Sequence, residues 1–99
     1  MQKLYVIVRD DLTVPQKAVQ AGHAIAAFML KHKDTQWDNG TLVYLKVNNK
    51  VALLNVMAGL WDTPNDRIAF FEPDLNNEIT AIACLGRNKV VKKLPLLYS

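Results

Sequence analysis

Two polar side chains stand out in VQAGHAIAAF, the otherwise small and apolar stretch from Val19 to Phe28: Gln20 and His23. Residues three apart on a helix are neighbours, so an amide and an imidazole at this spacing can touch or hold a common ligand. The imidazole adds proton transfer near neutral pH. Lys17 lies one turn before Gln20. Metal binding is the weaker reading, because histidine pairs, or histidine with glutamate, make ligand sets at helical spacing, whereas glutamine with one histidine is a poor start. His32 sits in Lys31-His32-Lys33, a basic helix end. Gly22, Gly40, Gly59 and Gly86 are scattered, so there is no phosphate loop, dinucleotide fingerprint or nucleophile elbow.

The elements that must position these residues alternate along the chain. Leu4 to Val8 is a β-branched and aromatic run suited to a strand buried on both faces, ended by Arg9-Asp10-Asp11. Thr13-Val14-Pro15-Gln16 has the form of a capping box and opens a helix that runs to about Lys31 or Lys33. Asp38-Asn39-Gly40 is a turn, and Thr41 to Val47 a second strand. A second helix follows from about Lys50 to Trp61, with Val51, Leu54, Met57, Ala58 and Trp61 on one stripe. Ile68 to Phe71 is a third strand, Glu72 to Asn77 a loop, and Ile79 to Leu85 a fourth strand. This order implies an α/β sandwich with a mixed sheet.

On a helical wheel, Ala18, Ala21, Gly22, Ile25, Phe28 and Met29 gather on one side of the first helix and are expected to pack on the sheet. Gln20 and His23 fall opposite, with Gln16 and Ala27, on a second face. Surrounded by small alanines, they would let a ligand or another chain segment approach closely. A glutamine and a histidine on an outer face are, however, most often simply solvated.

At 99 residues the chain is one domain, residues 1–99. With 51% hydrophobic and 21% charged residues it is globular rather than disordered. No apolar run approaches the roughly 20 residues of a membrane span, and the amino terminus is too strand-like for a secretory signal. The lone Cys84 excludes an intrachain disulfide or a cysteine-based zinc site and fits a reducing cytoplasm. A net charge of +3 permits a polyanionic partner without requiring one.

A resemblance sharpens these readings. Arg9-Asp10-Asp11-Leu12 followed by Ala18-Val19-Gln20-Ala21-Gly22-His23-Ala24 resembles the amino-terminal signature of type II peptidyl-tRNA hydrolases, R-x-D-L and then A-x-Q-x-x-H-A. Trp37-Asp38-Asn39-Gly40 is similar to that family's W-x-x-G turn, and the segment from Phe71 to Ala83 resembles the E-P-D-L and L-T-A-I-A run of a shorter bacterial branch. The resemblance implies a three-layer α/β sandwich, a four-stranded mixed sheet with helices on both faces, and a homodimer. It implies hydrolysis, in translation, of the ester joining a peptide to the terminal ribose of tRNA, without metal or organic cofactor. That chemistry needs a polarised water, donors for an oxyanion and positive charge for phosphates. His23 is then the candidate general base, Asp74 the acid that orients it or activates water, and Thr80 and Lys17 donors to the carbonyl or ribose. Gln20 and Arg9, with Arg87, Lys89, Lys92 and Lys93 of the basic carboxyl-terminal run, are candidates for holding the substrate.

Two departures from the family matter. Counting back from Gln20 puts Gln16, not Lys17, in the place of the family lysine, and the loop before the last strand is short, so the family's T-x-I-x-x-G-[ST] is missing. Glu72 competes with Asp74 as the acid, and Asp74 is preferred. Two classes of function follow: an esterase on peptidyl-tRNA, or a non-catalytic member of the same fold that binds RNA or another protein. The first requires the amide and imidazole of the first helix to converge with the carboxylate after the third strand around an open cleft.

Overall fold

A computed structural model describes residues 2–98. Four strands form one sheet in the order β2-β1-β4-β3, where β1 is Leu4–Arg9, β2 Leu42–Val47, β3 Arg67–Glu72 and β4 Glu78–Leu85. β1 and β2 are parallel and joined by helix α1, Val14–Lys31, while β4 lies between β1 and β3 and runs antiparallel to both. The two central strands are buried almost throughout. That burial is why they read as continuous runs of Val, Ile and Ala rather than as alternating patterns.

The sheet has a helix on each face, so the expected three-layer sandwich is present. α1 covers Leu4, Val6 and Val8 of β1 and Ala81, Ala83 and Leu85 of β4, with Phe28 and Trp37 closing that layer. Helix α2, Lys50–Leu60, covers Tyr5, Ile7, Leu45, Ile82 and Cys84 on the other. Burying a side chain such as Phe28 contributes about 1.5–3 kcal/mol. α1 opens with the capping box expected from sequence: the Thr13 hydroxyl accepts from the Gln16 backbone N–H at 3.3 Å, and the Gln16 carboxamide accepts from the Thr13 N–H at 2.9 Å. After β4 the chain passes a short helical turn at Val91–Lys93 and returns along the outer edge of β2. There Leu96 bridges Leu45, Lys46 donates to Pro95 and Leu97 donates to Tyr44.

The faces of both helices differ from expectation. α1 buries Gln20, Ala21, Ala24 and Phe28, whereas Ala18 and Gly22 face solvent and Met29 is 38% exposed. Apolar residues occupy most of the helix circumference, so hydropathy does not choose the face; the polar partners of Gln20 do. α2 packs through Leu53, Val56 and Leu60, leaving Val51, Leu54 and Trp61 exposed for the same reason. Among the described residues no helix is long and apolar enough to cross a membrane.

Candidate functional site

An irregularity in the sheet aims the first residue of the site. Phe70 pairs with Ala81 but Phe71 pairs with Ile79, which leaves Thr80 as an extra residue on β4. Regular alternation would turn Thr80 toward α2. The bulge instead places Ile79 in the α2 layer and swings Thr80 under α1, as β-bulges characteristically re-aim a side chain. Thr80 is fully buried, and its hydroxyl donates to Gln20 Oε1 at 2.6 Å.

Because that oxygen accepts from Thr80, the carboxamide must present its nitrogen on the other side. Gln20 Nε2 donates to Glu72 Oε1 at 2.9 Å. Glu72 reaches this position because it continues the alternation of β3: Ile68 and Phe70 pack in the α1 layer, and the residue two further on shares their face. Its side chain is 12% exposed. The carboxyl group is held below the ordinary glutamate range chiefly by the bond from Gln20, against the cost of desolvation, with the Asp74 N–H and the positive charge available at His23 adding to the effect.

His23 completes the chain at the surface. Its ring stacks on Phe70 with centroids 4.7 Å apart and planes inclined by 8°, and Nε2 stands 4.0 Å from Glu72 Oε1. At 48% exposure the imidazole is open to water. The sequence Thr80, Gln20, Glu72, His23 therefore runs from the interior to solvent. It ends in a carboxylate beside an imidazole, an arrangement that can stabilise an imidazolium and so favour proton abstraction by the ring. With the ring proton on Nε2, toward Glu72, the Nδ1 lone pair is the one able to accept a proton from water.

The other candidates stand elsewhere or are already engaged. Asp74 is exposed; its backbone N–H reaches Glu72 Oε2 at 3.4 Å, and its carboxylate has no hydrogen bond or ion pair among the described residues. The carboxylate that meets Gln20 and His23 is Glu72, because Pro73 breaks the strand alternation before Asp74. Thr80, expected to donate to substrate, is sealed inside and donates to Gln20. Gln20 itself, expected on an outer face, is 4% exposed and has its carboxamide engaged at both ends.

Arg9, expected against phosphate, is 7% exposed and ties the end of the sheet together. Its Nε and Nη2 donate to the two oxygens of Asp11 at 2.9 and 2.8 Å, while Nη1 donates to Glu78 at 2.8 Å and to the Ile79 carbonyl at 3.1 Å. Asp11 and Glu78 are both held below their usual values, in each case mainly by the bond from Arg9. Lys50 extends the network to Glu78 at 3.7 Å. Lys17 is largely buried and paired with Asp10.

The basic run lies away from this cluster. Gly86 donates to the Lys3 carbonyl at the start of β1, so Arg87 and Lys89 follow the far end of β4, roughly 20 Å of strand from Thr80. Lys93 lines a groove with Asn55, Val56 and Gly59 of α2, which places it and the adjacent Lys92 on the opposite face of the sheet from His23. All four side chains are exposed. Two apolar grooves also lie apart from the cluster, one bounded by Leu42, Tyr44 and Leu96 and one by Met57, Trp61 and Phe71. Among the described residues no three His, Cys, Asp or Glu side chains gather as metal ligands.

Phe70, the platform for His23, and Glu78, the second partner of Arg9, were missed in the sequence reading. The period of two along β3 carries the signal for Phe70 and Glu72 together; nothing local marks Glu78.

No family model matches the sequence, and no curated protein sequence does. Among solved structures, the chain is similar to Atu0240 of Agrobacterium tumefaciens strain C58, a protein of unknown function, with a TM-score of 0.69 and 17% identity over 96% of each chain. At that identity the likeness is one of fold.

Proposed function

We propose that the chain hydrolyses the ester of peptidyl-tRNA, with His23 as general base and Glu72 as the carboxylate that steadies it. The observation that supports this reading most is the half-exposed His23 imidazole standing 4.0 Å from a carboxylate that Gln20 keeps ionised. Water gives a proton to His23 as its oxygen attacks the peptidyl carbonyl. The carbonyl–ribose oxygen bond then breaks, and the imidazolium returns the proton to the departing ribose oxygen. The motif resemblance supplies the substrate, and the free thiol of buried Cys84 is in keeping with work in the cytoplasm.

The test is cleavage of a labelled peptidyl-tRNA by the purified protein. His23→Ala is expected to lower the rate by about 10²–10⁴, and Glu72→Gln by at least about tenfold. Undiminished cleavage by His23→Ala would remove the histidine from the mechanism.

One observation favours the alternative, a non-catalytic member that binds RNA or protein. Arg9, Lys17 and Thr80, all expected to touch substrate, are engaged within the fold. On that reading, tRNA is bound without cleavage, through the exposed Arg87, Lys89, Lys92 and Lys93, and affinity falls steeply with salt.

A further inference from the structure

β3 closes the sheet on one side and pairs with β4 alone among the described residues. The Leu85 N–H donates to the Asp66 carbonyl, and alternation from there turns the backbone groups of Ile68 and Phe70 toward β4 and those of Arg67, Ala69 and Phe71 outward. His32 agrees with this direction, since its Nε2 meets the Arg67 carbonyl at 3.0 Å. The outward N–H and C=O groups of Ala69 and Phe71 have no partner among the described residues. Edges that stay bare usually carry a proline, a lysine or a bulge as a guard, whereas the run between Arg67 and Glu72 is Ile-Ala-Phe-Phe.

The side chains beside this edge narrow the choice of occupant. Arg67, Ala69 and Phe71 share the face that α2 covers, and there the small Ala69 floors a groove of about 380 Å³ walled by Met57, Trp61 and Phe71. The groove has room for a large apolar side chain. Next to it the Arg67 guanidinium stacks on Trp61 at 4.5 Å, and its Nη1 donates to the carbonyls of Thr63 and Asn65 at 3.2 and 2.9 Å. These contacts fix the cation without neutralising it. No carboxylate pairs with Arg67 among the described residues, and neighbouring Asp66 lies 3.9 Å from His32 Nδ1 instead.

We propose that this edge takes up an extended segment of a partner protein as a further strand, antiparallel to β3, in the manner of strand addition. The residue opposite Ala69 exchanges both backbone hydrogen bonds with it and puts an apolar side chain into the groove. The residue two further on stands opposite Arg67 and brings a carboxylate to the guanidinium. The pattern recognised is thus apolar, any residue, acidic. A second copy of this chain does not supply it. Laid antiparallel on itself, β3 sets Ala69 against Ala69, which leaves the groove empty, and Arg67 against Phe71, while Glu72 lies on the other face of the sheet. The groove is on the side of β3 away from His23, so the binding is independent of the reaction proposed there.

The probe is the acetylated and amidated peptide Thr-Thr-Val-Thr-Leu-Thr-Glu-Thr-Thr, tried also with isoleucine, valine or phenylalanine in place of leucine. It is added to isotope-labelled protein at up to about 1 mM, and amide exchange is followed by nuclear magnetic resonance. Binding is expected to protect the Ala69 and Phe71 amides. N-methylation of the leucine removes the donor to the Ala69 carbonyl and should weaken binding at least about tenfold. Lysine in place of the glutamate should weaken it about two- to fivefold. Both comparisons use the unaltered protein, so neither depends on the folding of a variant. Arg67→Glu should then reverse the preference between the two charged peptides. The proposal is overturned if none of the four peptides binds, if the N-methyl or the lysine peptide binds as well as its parent, or if the effects are confined to the groove at Leu42 and Tyr44. Protection of the two amides that rises with protein concentration in the absence of peptide also overturns it, by giving the edge to a second copy.

Discussion

Gln20 and Glu72 are 52 residues apart in the chain and 2.9 Å apart in space, and their hydrogen bond is the hinge of the polar chain that reaches His23. The orientation of the amide is set from behind by the Thr80 hydroxyl, which a bulge in β4 turns under α1. Glu72 therefore meets a donor rather than an acceptor, and its carboxylate stays charged next to the imidazole.

The first prediction concerns that relay as a unit. Thr80→Val keeps the shape of the side chain and leaves Gln20 Oε1 without its buried donor, which should destabilise the protein by about 1–3 kcal/mol. Gln20→Leu strands the Thr80 hydroxyl and should cost a similar amount. Together the two changes should cost less than their sum by about 1 kcal/mol or more. Urea unfolding of the four proteins measures this coupling, and strict additivity would mean that the contact carries no mutual energy.

Acid should unfold the protein through its depressed carboxylates. Asp10, Asp11, Glu72 and Glu78 all titrate below their ordinary values of 3.8 and 4.5, mainly through bonds from Lys17, Arg9, Gln20 and Arg9 respectively. A carboxyl that holds its proton less readily when folded contributes stability that is present above the unfolded value and is lost as pH falls through the folded one. Unfolding free energy should thus drop as pH is taken from about 5 to about 3. Glu72→Gln should make that dependence shallower, which equal slopes for the two proteins would contradict.

Arg9→Lys separates a clasp from a phosphate contact. Lysine keeps the charge but cannot span both oxygens of Asp11 while also reaching Glu78 and the Ile79 carbonyl. A loss of about 1–3 kcal/mol is expected in thermal or urea unfolding. Unchanged stability would return Arg9 to the surface role that its charge first suggests.

The turn before β4 should discriminate among residue types. Asn76 and Asn77 both take left-handed backbone conformations, with φ of 55° and 58°. Asn77→Gly should leave the melting temperature about where it is. Asn77→Val should lower it by several degrees, corresponding to about 1–2 kcal/mol. Equal melting of the valine and glycine variants would contradict this.

Most of the architecture was legible because local physics points the same way as the fold. β-branched runs bounded by turn residues marked all four strands, and Thr13 with Gln16 marked the start of α1 to the residue. The helix faces were not legible, since small and apolar residues surround α1 and α2 and the choice between faces is made by contacts distant in sequence. The site was half visible for the same reason. Gln20 and His23 could be paired from spacing alone, but that Glu72 rather than Asp74 stands beside them was not legible, because only the pleat of β3, continued past Phe71, shows which acid faces α1. Arg9 and Thr80 have the residue types of a catalytic or binding group, and nothing in their neighbourhood tells that their partners lie 69 and 60 residues away inside the same molecule.

The two outer strands are not equally protected. β2 carries Pro95 to Leu97 along its rim, where the Lys46 N–H donates to the Pro95 carbonyl and the Leu97 N–H to the Tyr44 carbonyl. A chain cut short before Pro95 would leave a row of bare amides there, inviting stacking into fibres. Pro95 to Leu97 thus shield this edge from self-templated aggregation.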